Sequence, residues 1–303
     1  MINKKFSNKR IGVLGKGGSG KSTITVLLAN VLKSLGYTVC VLDADSTNYG
    51  IHQTFGFNQA PTSLIDYFGG DIFSGGEVSC PVDDPTPLPN ANIDLTKIPN
   101  KYYSSDEEGL FLFQLGKIGG KGPGAGCDGP ISKIARDLKV EGIGNQAVTL
   151  IDIKAGLEDS ARGVITSMDW IITVVDPSTA SFEIAKDIKN IVSQIKNGEL
   201  PATAHLESPE FIEDAKKIYK EAKIKESFTI LNKIKNKKTE KYISNILNEK
   251  ELNIIGTIYE DDSISLSWLK GKPLKGVKAI EDMKKAVEKL ERIVKEQEVK
   301  LLS

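Results

Sequence analysis

Cysteine and histidine are scarce, three and two in 303 residues. Cys40, Cys80 and Cys127 are too few for a disulfide framework and fit no close-set zinc spacing such as CxxC, and His52 and His205 stand too isolated to support a metal site by themselves. No run approaches the roughly eighteen apolar residues of a membrane span, and residues 1–10 are polar and basic with no apolar stretch behind them. The expectation from these absences is a reducing, cytoplasmic setting. Repeats and low-complexity tracts are also missing, and 40% hydrophobic with 26% charged residues excludes disorder and collagen-like chains.

Net charge is lacking too, forty basic side chains balancing forty acidic ones, but the balance is sorted along the chain. Residues 1–40 carry seven basic and no acidic side chains, whereas residues 41–130 carry four basic and twelve acidic ones. Such sorting points to segments with different electrostatic tasks.

Short β-branched runs at 11–14, 38–42, 148–153, 170–175, 228–231 and 253–258 read as strands. Helical periodicity falls at 21–35, 129–138, 159–167, 181–196, 210–222, 237–248 and 279–298. Their alternation predicts one α/β domain over residues 1–303, a mostly parallel sheet covered by helices on both faces. Two stretches interrupt it: an acidic Gly/Pro-rich insertion at about 69–129, with a short hairpin expected near 110–115, and a smaller insertion at 198–209.

Directly after the first strand stands Gly15-Lys16-Gly17-Gly18-Ser19-Gly20-Lys21-Ser22-Thr23, which satisfies G-x-x-x-x-G-K-[ST] in the strand, loop and helix context that a phosphate-binding loop requires. Its glycines let successive backbone N–H groups turn toward the phosphates, and the following helix points its positive end at them. Lys21 is expected to reach the β and γ phosphates, and the Ser22 hydroxyl to ligate Mg²⁺.

Lys16 sharpens the assignment. The run Lys16-Gly17-Gly18-Ser19-Gly20-Lys21-Ser22 resembles K-G-G-x-x-K-[ST], the signature of the deviant Walker A P-loop ATPases that include MinD, ParA and the nitrogenase iron protein. The resemblance implies an ATP hydrolase that cycles ATP and ADP as a homodimer, with Lys16 crossing to the partner's nucleotide. Val41-Leu42-Asp43-Ala44-Asp45-Ser46-Thr47-Asn48 resembles that family's switch I, so Asp43 and Asp45 are expected near Mg²⁺ and the attacking water. Leu150-Ile151-Asp152-Ile153-Lys154-Ala155-Gly156 resembles its switch II, so Asp152 is expected to hold the metal and Gly156 to sense the γ phosphate. Asn232 and Lys233 resemble its N-K motif at the purine, and Tyr259 stands where its adenine loop usually has proline.

Within the group the chain is most similar to the CooC-type ATPases that mature carbon monoxide dehydrogenase. Asp66-Tyr67-Phe68-Gly69-Gly70 resembles their D-Y-L-G-G, residues 155–163 resemble their A-G-x-E-H-x-x-R-G, and Gly124-Ala125-Gly126-Cys127-Asp128-Gly129-Pro130 falls where they carry G-C-x-C. The resemblance implies a nucleotide-switched maturation or metal-insertion factor acting on a client metalloenzyme, with Cys127 near the dimer axis holding nickel, zinc or another soft metal. Gly129 replaces the second cysteine, so a Cys127 pair alone offers two thiolates, fewer than the four of an all-cysteine iron–sulfur cluster. Asp128 and Cys80 are further candidate donors. Cys127 also precedes a predicted helix, a place that favours the thiolate.

Two alternatives remain at this level: a ParA-like switch that binds DNA or a protein without metal, and an ATP-gated electron donor like the iron protein. Nucleic acid and membrane are both unexpected partners. The acidic insertion repels the first. For the second, the C-terminal helix carries balanced charge and an apolar stripe, Met283, Val287, Leu290 and Val294, suited to packing rather than anchoring.

Overall fold

A computed structural model describes residues 4–117, 127–144, 146–157 and 163–302. Eight strands form one sheet in the order β10-β9-β8-β1-β7-β2-β5-β4. They are β1 Lys9–Gly15, β2 Thr38–Asp43, β4 Ser104–Ser105, β5 Leu110–Gln114, β7 Ala147–Asp152, β8 Trp170–Val175, β9 Glu226–Ile234 and β10 Ile254–Tyr259. Every pairing is parallel except β4 with β5. Two further short strands, β3 Asn92–Asp94 and β6 Lys139–Glu141, pair parallel outside it.

The central strands are apolar on both faces because both faces are covered. On one side lie α1 Lys21–Ser34 and the C-terminal helix Ala279–Leu302 (α9), with Ile24, Leu28, Met283 and Leu290 in one buried cluster. On the other lie α4 Gly129–Asp137 and α5 Thr179–Lys196, with Ile134, Ile188 and Val192 packed under Leu42 and Ile151. All four residues of the predicted C-terminal stripe are at most 2% exposed, so that stripe is core. The remaining helices are α2 Ile51–Phe55, α3 Leu64–Tyr67, α6 Pro209–Lys220, α7 Lys237–Glu249 and α8 Asp262–Lys270.

Three expectations change. The hairpin near 110–115 exists as β4–β5, yet β5 also pairs parallel with β2, so the acidic insertion donates a strand to the main sheet. Its sequence Leu-Phe-Leu-Phe-Gln explains this, since an apolar run with little alternation is built for burial on both faces. The helix expected at 159–167 lies partly outside the described residues, and its described part, Val164–Ser167, is a 3₁₀ turn. Helix α8 was not expected. It buries no residue fully, only Ile264 and Trp268 packing partly buried against the core, and Asp261 caps it by accepting from the Ser263 N–H.

Among the described residues no helix is long and apolar enough to cross a membrane.

Candidate functional site at the strand ends

Parallel register sets the site. Asp43 and Asp152, the last residues of β2 and β7, pair across the ladder, and Val13 of β1 faces Asp152 on its other side. Three carboxyl-end features therefore meet at the centre of the sheet, where loops leave room for a ligand.

The loop after β1 is shaped by conformations that only glycine adopts cheaply. Gly20 caps α1 at φ +96°, and a Cβ there would stand 2.2 Å from Asn232 Nδ2. That contact is used: Asn232 donates to the Ser19 carbonyl at 2.8 Å, and Lys233 Nζ donates to the Gly18 carbonyl at 2.8 Å. Both residues expected at the purine thus brace the phosphate loop from β9, so base recognition through Asn232 Nδ2 requires exchange of that bond. Gly156 joins the same loop, its N–H donating to the Gly15 carbonyl at 3.3 Å.

Lys21 is buried at the loop's end, at 6% exposure, while Lys16 is partly exposed and pairs with Asp176, just beyond β8, at 3.2 Å. Ser22 Oγ accepts from Asn48 Nδ2 at 2.6 Å, which ties the loop after β2 to α1. Thr23 Oγ1 accepts from Trp268 Nε1 of α8 at 3.0 Å. Tyr259, expected at the adenine loop, donates through its hydroxyl to Glu240 of α7 and through its N–H to Asp282 of α9.

The acids are crowded and dry. Burial raises the Asp152 carboxyl from 3.8 to about 6, against the opposing pull of Ser22 and Lys21. Burial likewise raises Asp43 to about 7, with Lys117 opposing and the neighbouring Asp152 and Asp45 adding to the rise. Lys117, which sequence reasoning did not single out, donates to Asp43 Oδ2 at 2.7 Å and to the Asp45 carbonyl at 2.6 Å. Asp45 Oδ1 accepts from the Thr47 N–H and hydroxyl, a local turn that fixes its direction. Asp43 Oδ1 and Asp152 Oδ2 are buried with no hydrogen-bond partner among the described residues. Orphaned carboxylate oxygens are costly until a cation or donor completes them, and hard oxygen donors suit Mg²⁺. Ser22, Asp45 and Asp152 could therefore hold that ion together with nucleotide phosphates. No group of three His, Cys, Asp or Glu among the described residues could hold a metal alone.

A second constellation adjoins the first. Asp128, 7% exposed, accepts from the Ser46 hydroxyl on one oxygen and pairs with Lys154 Nζ on the other. The carboxylate of the residue after Cys127 thus joins the loop after β2 to the loop after β7. Both oxygens of Asp128, a candidate metal donor in the sequence, therefore have partners within the chain. Cys127 is partly exposed, with its Sγ accepting from the Gly129 N–H at 3.3 Å. Residues 124–126 before it lie outside the described residues, as do residues 158–162 of the switch II continuation.

Residues 13–274 match the family described as the CobQ/CobB/MinD/ParA nucleotide binding domain. The chain belongs to that family. It is 32% identical over 192 residues to an ATP-binding protein of Methanocaldococcus jannaschii, covering 60% of this chain and 72% of the relative. It is 27% identical over 192 residues to the carbon monoxide dehydrogenase accessory protein CooC of Rhodospirillum rubrum, covering 61% and 70%. In fold it is similar to MinD of Pyrococcus horikoshii complexed with Mg-ADP, with a TM-score of 0.58 at 16% identity over 94% of this chain and 96% of that one. This MinD/ParA-family chain is accordingly an ATP-binding ATPase, similar to the CooC type.

Of the residues expected at the site, the structure brings Gly15 to Thr23, Asp43, Asp45, Asp152, Asn232 and Lys233 to one end of the sheet. It leaves Tyr259 engaged with α7 and α9. Lys117 was missed because a lone lysine at the end of an apolar strand carries no motif. Lys154 had no assigned partner in the sequence, since Asp128 lies 26 positions away.

Proposed function

We propose that this ATPase is a homodimeric, nucleotide-switched factor that carries or inserts a metal ion for a client metalloenzyme, with the ion handled at Cys127. Supporting the reading is the Asp128 carboxylate, which ties Ser46 of switch I and Lys154 of switch II to the residue next to that thiol. Anything that moves either switch must move, break or strain this bridge. The similarity to a carbon monoxide dehydrogenase accessory protein agrees with such a task.

In this reading Lys21 and the loop N–H groups cradle ATP, and Lys16 leaves Asp176 to reach the partner's nucleotide. Asp43 and Asp45 orient the attacking water, Asp43 being held in place by Lys117. Mg²⁺, held by Ser22, Asp45 and Asp152, would neutralise charge on the phosphates. Catalysis is then chiefly positioning and charge compensation. Loss of the γ phosphate frees Gly156 and switch II to shift, and Lys154 carries that shift to Asp128.

The test is anaerobic titration of Ni²⁺ or Zn²⁺ into wild type and Cys127→Ser, with and without ATP. Binding that needs Cys127 and changes with ATP is expected. Equal binding by both proteins removes the metal role and leaves an ATPase switch acting on other partners.

A further inference from the structure

Position 129 is glycine for a reason that the sequence does not show. A Cβ built on Gly129 would lie 2.4 Å from Cys80 Sγ, 2.6 Å from Cys80 Cβ and 3.0 Å from Cys80 Cα. Any side chain at 129 would overlap the Cys80 side chain. The Gly129 N–H is also the group that donates to Cys127 Sγ at 3.3 Å. Two thiols 47 positions apart in sequence therefore converge on one glycine, and neither is in a disulfide.

We propose that Cys80 and Cys127 of one chain form a two-thiolate site for a soft metal ion, Cys80 standing in space where a second cysteine at position 129 would otherwise stand. The surroundings suit the assignment. Cys80 is 6% exposed and Cys127 partly exposed, so the pair has one sheltered and one accessible sulfur. Soft thiolates select zinc, copper(I) or nickel over the hard ions suited to the carboxylates of the nucleotide end.

Two thiolates are half of a tetrahedral thiolate site. No third His, Cys, Asp or Glu ligand is in place among the described residues. Two copies meeting at this corner supply four thiolates, which removes the shortage counted from Cys127 alone. That completion rests on the homodimer of the proposed function; the pairing of the two thiols within one chain does not. Loading is an exchange without redox: each thiol releases its proton to solvent as its sulfur–metal bond forms, two protons per chain.

The experiment is anaerobic titration of Cd²⁺ into the full-length reduced protein, read by thiolate-to-cadmium charge-transfer absorption and by competition with a chelator. Wild type, Cys80→Ser, Cys127→Ser and the double variant Cys80→Gly/Gly129→Cys are compared, with thermal melting to confirm folding. Each serine variant is expected to lose about half of the charge-transfer band and to bind the ion more weakly than wild type. The double variant, which moves the thiol from 80 to 129, is expected to recover most of the band. Wild-type binding by Cys80→Ser together with loss in Cys127→Ser overturns this inference and leaves the proposed function standing. Wild-type binding by both serine variants overturns both. A folded double variant with no recovered band counts against the shared position, and a recovered band supports it even where Cys80→Ser alone fails to fold.

Discussion

The nucleotide end and the thiol corner lie side by side but are built differently. The nucleotide end is one contiguous loop, residues 15–23, flanked by carboxylates that strand register places in line. The thiol corner is gathered from four separated segments, with Ser46, Cys80, Cys127 to Gly129 and Lys154 all meeting around Asp128 and Gly129. The first end binds a ligand shared by a large family, and a short motif suffices for it. The second is assembled from distant segments, which come together only when the insertion folds back on the sheet.

The difference is open to experiment, beginning with the largest effect. Lys21→Ala and Lys16→Ala are each expected to lower kcat for ATP hydrolysis on the order of 100-fold or more, without changing metal binding by the nucleotide-free thiols. Steady-state hydrolysis checks the first part and anaerobic metal titration the second. For Lys16→Ala, sedimentation with ATP is also expected to show loss of ATP-driven dimerisation.

Asp152→Asn separates stability from function. The Asp152 carboxyl is higher in the fold, at about 6, than its ordinary 3.8, so the native state binds more protons than the unfolded chain and loses stability as pH rises through that window. The nucleotide-free variant should match wild type near pH 4 and exceed it above pH 6 by up to about 3 kcal/mol, while hydrolysing ATP poorly. Chemical denaturation across pH measures the gap, and a variant less stable than wild type at pH 8 would contradict the cost assigned to this buried acid.

Lys154→Met attacks the junction between the two ends. It leaves Asp128 buried without its cation and is expected to cost about 1 to 2 kcal/mol, reduced from a fully buried pair because Lys154 is partly exposed. Hydrolysis should fall less than about tenfold, since among the described residues Lys154 pairs with Asp128 rather than with the phosphate loop. The smallest effect is expected of Tyr259→Phe. Its hydroxyl serves Glu240 rather than the loop, so ATP affinity should change less than about twofold, read by nucleotide titration.

Much of this was legible in the sequence, for identifiable reasons. Buried parallel strands are apolar without interruption, so β1, β2, β7 and β8 stand out, and the loop after β1 needs glycines where other residues would clash with Val174 and Asn232. Asp43 and Asp152 were readable because each ends such a strand. Long-range pairing was not readable. Nothing local links Lys117 to Asp43, Lys154 to Asp128 or Cys80 to Gly129, and each depends on how the acidic insertion returns to the sheet. The motif marked the place of Asn232, but not the bond from its amide to the Ser19 carbonyl.

Coupling between the two ends is tested most directly by the alkylation rate of Cys127 in a Cys40→Ala/Cys80→Ser background, with ADP and with a slowly hydrolysed ATP analogue, compared with the same protein carrying Asp128→Asn. The account predicts that the rate differs about tenfold or more between the nucleotides while Asp128 is present, and that Asp128→Asn erases the difference, with ATP still bound. Equal rates for both nucleotides with Asp128 in place would contradict it.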